Sequence, residues 1–241
     1  MTAALEVVNL SKSFRGLRAV VDVEFTAAAG VVTAVIGPNG AGKTTLFNLI
    51  AGAIKPDAGS VRFGGTDITG LRPDQICRAG IGRTFQLVRP FAGLTVEENV
   101  TAGALMREPD VAAARVHANE ILALLDLSDR RRRLAAELTL PDRKRLELAR
   151  ALATQPTLLL LDEVMAGLRP TETDRMVETL TRLNRERGLT IVLIEHVMRA
   201  VMALAGKVIV LHHGEKIAEG SPAAVATDPA VVESYLGAEV A

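Results

Sequence analysis

The chain has 241 residues, enough for one large domain or a domain with a subdomain at roughly 150 residues per domain. Its 28 basic and 28 acidic side chains cancel, which excludes a whole-chain electrostatic pull toward nucleic acid or an anionic lipid surface. With 49% apolar and 23% charged residues the composition is globular, and at 3% aromatic with no Trp the core has to be aliphatic. Cys77 is the single cysteine; it allows no internal disulfide and no thiolate metal site, and reads as an ordinary buried residue. The opening MTAALEVVNLSKSF lacks the basic region, long apolar stretch and cleavage site that mark a chain for secretion. The most apolar segment, residues 197–211, is interrupted by Arg199 and Lys207 and falls short of the roughly 18 unbroken residues of a span.

In chain order, residues 5–10, 20–25 and 60–63 are strand-like pieces joined by Gly- and Asp-rich turns without intervening helices, which predicts an antiparallel β layer. Short Val/Ile/Leu runs then alternate with longer periodic segments: 31–36 with 43–53, 158–161 with 171–187, and 191–194 with 197–205. That alternation predicts a largely parallel α/β sheet. Strand signals fade over 87–156, where 96–106, 111–127 and 143–154 carry helical spacing of Leu and Ala. The chain therefore reads as one domain over 1–241, with a helical subdomain at 87–156 inserted between core portions 1–86 and 157–241. Thr95 and Glu98 form a capping-box pattern, and Ser221-Pro222 and Asp228-Pro229 place a cap and a proline at two C-terminal helices. Arg130 to Arg133 is the one charge run and reads as a solvated loop or helix end.

Gly37-Pro38-Asn39-Gly40-Ala41-Gly42-Lys43-Thr44, followed by Thr45, comes directly after an apolar strand and opens a helix. That context makes it a P-loop, with glycines that let backbone N–H groups turn onto a polyphosphate. The helix dipole adds positive potential and Lys43 supplies a full charge for the β- and γ-phosphates. Thr44 is the expected Mg²⁺ ligand. Downstream, an apolar strand ends in Asp162-Glu163: Asp162 can hold the metal through water and Glu163 can orient an attacking water.

These motifs, in this order, resemble the ATP-binding subunits of ABC transporters over essentially the whole chain. The resemblance implies a RecA-like P-loop NTPase core of α/β class, with ATP and Mg²⁺ bound and ATP hydrolysed. It makes Gln86, in Gly82-Arg83-Thr84-Phe85-Gln86, the Q-loop glutamine that touches Mg²⁺ or water beside the surface gripping the membrane subunit. It makes His196 the switch histidine that meets the γ-phosphate, and Phe14 the aromatic that stacks on adenine, a core Phe being the ordinary alternative. Gly82 to Gln86, residues 90–100, Ala166-Gly167-Leu168 with Pro170, residues 212–220 and Tyr235-Leu236-Gly237 look most like subunits serving branched-chain or hydrophobic amino acid uptake. Expected partners are a second ATPase subunit, integral membrane permease subunits and, indirectly, an extracytoplasmic solute-binding protein, with no nucleic acid. The expected place is the cytoplasmic face of the inner membrane, as a peripheral subunit. His212 and His213 sit at a hairpin turn, and adjacent strand side chains face opposite ways, which argues against a metal role.

The family signature, Leu-Ser-Gly-Gly-Gln or close to it, should precede the helix containing Arg145 to Leu152, and here the stretch is Leu138-Thr139-Leu140-Pro141-Asp142. In the family pattern this helix start binds the γ-phosphate on the P-loop of the opposite subunit. Thr139 keeps a hydroxyl. Pro141 removes one backbone donor, and Asp142 is expected to bring negative charge toward a polyanion, with Arg143 and Lys144 as neighbours that can offset it. Both Pro141 and Asp142 are locally favourable in a first helical turn, so the helix survives. Arg169 stands where many members have Asp in the loop that crosses the dimer interface. The reading is a subunit with an intact P-loop and a degenerate signature, working in a heterodimer whose partner supplies a conventional one; a homodimer that tolerates the changes is the alternative. Rival functions are a soluble nucleotide-switch or nucleic-acid-repair ATPase of the same fold, a non-hydrolysing regulatory subunit, and the ATPase of a lipid exporter. The first lacks its usual coiled-coil insertion or tandem domain here, and the second is opposed by the joint presence of Lys43, Asp162, Glu163 and His196.

Overall fold

The computed structural model describes residues 3–86 and 90–236. Its first part runs β1 (Ala3–Phe14), β2 (Leu17–Ala28), β3 (Val32–Ile36), α1 (Lys43–Ile50), β4 (Ala58–Phe63), β5 (Thr66–Asp67), α2 (Pro73–Ala79) and β6 (Ile81–Arg83). Three helices follow, α3 (Val96–Ala104), α4 (Val111–Leu124) and α5 (Leu140–Ala153). The chain then returns to the sheet through β7 (Leu158–Asp162), α6 (Pro170–Arg187), β8 (Thr190–Ile194), α7 (Met198–Leu204), β9 (Lys207–His212), β10 (Glu215–Gly220), α8 (Pro222–Ala226) and α9 (Pro229–Leu236).

Two sheets carry these strands, one in the order β2-β1-β4-β5 and antiparallel, the other in the order β10-β9-β3-β8-β7-β6. In the second sheet only the β9–β10 pair is antiparallel. Strands β3, β7 and β8 are buried along their whole length, which is why they read as unbroken aliphatic runs. Their side chains alternate between two cores. Ala34, Leu159, Leu161, Ile191 and Leu193 pack with the helices α3 to α6, whereas Val35, Leu158, Leu160, Val192 and Ile194 pack with α1 and the antiparallel sheet.

The expected caps form. Thr95 Oγ1 accepts from Glu98 N at 3.2 Å while Glu98 Oε2 accepts from Thr95 N at 2.7 Å. Ser221 Oγ accepts from Ala224 N at 3.3 Å and Asp228 Oδ1 from Ala230 N at 2.9 Å. The sequence reading missed α2 and β6, both of at most seven residues, while the hairpin turn expected at His212 and His213 joins β9 to β10. Cys77 is half-buried on α2, not fully enclosed as expected.

Arg130 is also less free than a solvated run implies. Its guanidinium pairs with Asp142 at 2.7 Å. The carbonyls of Arg131 and Arg133 accept from Glu97 N and Val96 N, both at 2.9 Å, and so close the N-terminus of α3.

Candidate functional site

Because β3, β7 and β8 are adjacent and parallel, the segments that follow them emerge at one edge of the sheet. This topology brings the P-loop, Asp162-Glu163 and Glu195-His196 together although the sequence spreads them over 160 positions, from Gly37 to His196. Strand β6, parallel to β7 and flanking it opposite β8, adds the loop bearing Gln86 at the same edge.

The P-loop is held from outside by short-range packing. Gly42 caps α1 with φ 97°, and a Cβ there would lie 2.3 Å from the carbonyl of Ala19 on β2. Only glycine suits both conditions. The turn between β9 and β10 adds a strap: Gly214 N donates to Ala41 O at 3.1 Å, and Val21 N on β2 donates to Gly214 O at 2.8 Å. Burial pushes the phenol of Tyr235 on α9 up, and the backbone N–H of Gly37 pulls it part of the way back. Gly237, read with Tyr235 as one motif, lies outside the described residues.

Lys43 is 8% exposed, and its ammonium donates to Gly37 O at 2.7 Å and Pro38 O at 2.8 Å. Burial lowers its pKa, with the charges of Glu163 and Asp162 pulling it back up. A positive charge is thereby held beside the loop amides at the start of a helix with no acid in its first turn, which is a site for an anion.

A cleft of about 690 Å³ is lined by Phe14, the loop residues Asn39 to Thr45, Gln86 and Glu163. Phe14 is 43% exposed, so the core reading fails and its ring is open to a ligand, with Lys12 Nζ 5.7 Å from the ring centroid. Gln86 Nε2 donates to Glu163 Oε2 at 2.8 Å, and His196 Nδ1 lies 4.0 Å from Glu163 Oε1. The three residues assigned to hydrolysis therefore meet at one carboxylate.

Thr44, Gln86 and Asp162 also border a second cleft of about 410 Å³. Asp162 is 1% exposed, and burial pushes its carboxyl up while Arg83, 3.5 Å away, opposes the shift. Its other oxygen, Oδ1, has no hydrogen-bond partner among the described residues. A buried orphan carboxylate oxygen beside a threonine hydroxyl and a glutamine amide is an all-oxygen donor set of the kind Mg²⁺ takes. The residues fit the ion that the sequence implied.

Thr139, Pro141 and Asp142 border a different cleft of about 640 Å³, together with Arg175 and Met176 of α6. They stand apart from this chain's own P-loop cleft. Helix α5 begins at Leu140 with Thr139 as its cap residue and Pro141 in its first turn. The expectation that Asp142 points its charge outward is wrong. Asp142 is 4% exposed and paired with Arg130 at 2.7 Å and Arg145 at 2.9 Å. Neither expected neighbour neutralises it: Arg143 donates to Ala136 O at 2.8 Å, and Lys144 to Glu163 O at 2.8 Å.

A second correction concerns His212 and His213, whose ring centroids lie 4.0 Å apart instead of on opposite faces. Strand β9 ends at His212 and His213 turns to φ 49°, so the strand alternation stops between them. His213 borders the P-loop cleft, a position missed because the rule applied belongs to a strand. Sequence reading also missed Glu195, fully buried, whose Oε1 accepts from Met165 N at 2.9 Å. Its only signal was an acid at the end of an apolar strand.

Residues 20–166 match the family described as ABC transporter, and residues 215–241 match the branched-chain amino acid ATP-binding cassette transporter family. The high-affinity branched-chain amino acid transport ATP-binding protein BraF of Pseudomonas aeruginosa is 37% identical, with 97% of each chain covered. A nucleotide-free ATP-binding cassette from an ABC transporter superposes with a TM-score of 0.89 at 33% identity, covering 97% of this chain and 99% of that one. A dimeric post-hydrolysis cassette bound to ADP and phosphate superposes at 0.83 with 25% identity, covering 90% of this chain and 98% of that one. A P-loop cleft with its carboxylates at the sheet edge, and likeness along nearly the full length, lead to one family: this chain belongs to the ATP-hydrolysing, ATP-binding subunits of ABC transporters.

Proposed function

We propose that this chain binds and hydrolyses Mg-ATP to power uptake of branched-chain amino acids or a similar small solute. The observation that carries the reading is the meeting of Gln86 and His196 on the Glu163 carboxylate at the mouth of the P-loop cleft. Adenine stacks on Phe14, the amides of Gly37 to Thr45 and the Lys43 ammonium cradle the phosphates, and Pro38, which has no N–H, shapes the turn. Lys43 exchanges the Gly37 and Pro38 carbonyls for phosphate oxygens. Thr44, Gln86 and, through water, Asp162 would hold Mg²⁺, which when bound would supply positive charge to neutralise the phosphates. Glu163 orients the water in line with the γ-phosphate, and His196 meets the charge that develops there. Catalysis is by positioning and charge stabilisation with no covalent intermediate.

The same reading makes the chain one half of a dimer, for which the dimeric cassette is a precedent. Thr139 and Arg169 are exposed, while Pro141 offers no N–H and Asp142 is turned inward. A second ATPase subunit with a conventional signature completes the site over this P-loop. Permease subunits dock beside Gln86 and the helical segment, a solute-binding protein feeds the permease, and the chain sits peripherally at the cytoplasmic face of the inner membrane. Among the described residues no helix is long and apolar enough to cross a membrane. Co-purification with the integral subunits, and ATPase measured for the chain alone and mixed with its partner, test this. Equal activity alone and mixed would remove the heterodimer, and failure to associate with any integral subunit would remove the transport role.

A further inference from the structure

Glu163 takes a strained backbone conformation at the site. Its φ of 49° is left-handed, a conformation that a residue with a Cβ adopts only when its surroundings impose it. The turn is bracketed by hydrogen bonds. Glu163 N donates to Ile194 O at 3.0 Å, Ala166 N donates to Glu163 O at 3.2 Å, and Met165 N donates to the buried Glu195 carboxylate at 2.9 Å.

The remaining bond comes from a distant element. Lys144, on α5, is 5% exposed, and its ammonium donates to Glu163 O at 2.8 Å. A charge-assisted bond to a main-chain oxygen is among the stronger ones available in a protein interior. It falls on the peptide of the residue whose carboxylate carries Gln86. Burial lowers the pKa of this ammonium, and the carboxylates of Glu195, Glu163, Asp162 and Glu147, where ionised, pull it part of the way back. Lys144 is also two residues from Asp142, on the helix that starts at the degenerate signature. The bond therefore links α5 directly to the Glu163 peptide.

We propose that Lys144 is a positioning residue for hydrolysis: by holding the Glu163 carbonyl it fixes the left-handed turn and so aims the Glu163 carboxylate. The inference rests on Glu163 orienting the attacking water, and the tests separate the two. In the assembled ATPase, Lys144→Met should lower kcat about tenfold to a hundredfold, the range for a small misplacement of a catalytic group. KM for ATP and affinity for Mg-ADP should stay within about threefold, because the phosphate cradle is untouched. Lys144→Arg, which keeps a cation able to reach the carbonyl, should recover most of the rate; if the Met variant does not fold, Lys144→Gln against Lys144→Arg gives the same comparison. In a Glu163→Gln background, single-turnover hydrolysis should be insensitive to Lys144→Met. Wild-type turnover in Glu163→Gln would overturn the role of Glu163 and this inference with it. Lost turnover in Glu163→Gln with an unchanged kcat in Lys144→Met would overturn the inference alone. So would equal rate losses in both backgrounds, or a kcat loss that the arginine does not restore.

Discussion

The Gln86 amide donates to the Glu163 carboxylate at 2.8 Å across 77 positions of chain. Gln86 follows β6 and Glu163 follows β7, so the bond ties together the exits of two neighbouring strands. The carboxylate proposed to orient the attacking water is thereby tied to an amide donor from the neighbouring strand's exit.

Replacing Glu163 by Gln keeps the size of the side chain and an acceptor oxygen but removes the charge that draws a proton from water. Turnover should fall about 10² to 10⁴-fold, the usual contribution of a positioned acid or base, with Mg-ATP affinity kept. Equilibrium binding and steady-state ATPase on the same preparation read both. Undiminished hydrolysis would withdraw the assignment.

Lys43→Ala removes the cation from the cradle and leaves the Gly37 and Pro38 carbonyls without that donor. Loss of a desolvated charge facing a polyanion is worth about 2–5 kcal/mol, so affinity for Mg-ATP should drop by about 30-fold or more. Calorimetric titration gives the number. An affinity equal to wild type would show that nucleotide binds somewhere other than this loop.

The P-loop was legible because its chemistry is local: glycines, a lysine and a hydroxyl must follow a strand at fixed spacing. Asp162 and Glu163 were legible as acids ending an apolar strand downstream of the P-loop, whereas Gln86 and His196 were drawn to the site only through likeness, since parallel strand order is not written in any one segment. What stayed hidden were orientations. Asp142 reads as a charge at a helix start, and nothing within residues 138–145 tells that Arg130, from a separate turn, reaches it. His213 was misplaced because a single backbone angle ended the strand rule. Lys144 sits between two arginines, and only the placement of α5 in the core it shares with β7 selects it as the one that reaches Glu163.

The pairing of Asp142 with Arg130 and Arg145 gives a stability prediction. Asp142→Ala strands two guanidinium groups beside a buried space, but both arginines retain partial solvent access. The full loss for a broken buried pair, about 3–5 kcal/mol, is therefore discounted to about 1–3 kcal/mol. Urea unfolding should show this loss, and Arg130→Ala with Asp142→Ala should lose less than the sum of the two single changes. Additive losses would mean that the acid is held by packing and not by its cations.

Glu195 supplies a pH prediction whose sign follows from its burial. The carboxyl is fully enclosed, Oε2 has no partner among the described residues, and burial pushes its pKa up while the Met165 N–H pulls it part of the way back. Between the ordinary carboxylate value and the raised one, the folded chain holds this proton while the unfolded chain has released it. Stability therefore falls as pH rises through that window, and the loss persists above it. Glu195→Gln retains an oxygen for Met165 N and cannot ionise, so the variant escapes the loss. Below the ordinary range, at about pH 4, wild type and variant should unfold at the same denaturant concentration; by about pH 8 the variant should be the more stable. A stability difference that does not grow between those two pH values would mean that the buried Glu195 carboxyl titrates alike in the folded and unfolded chain.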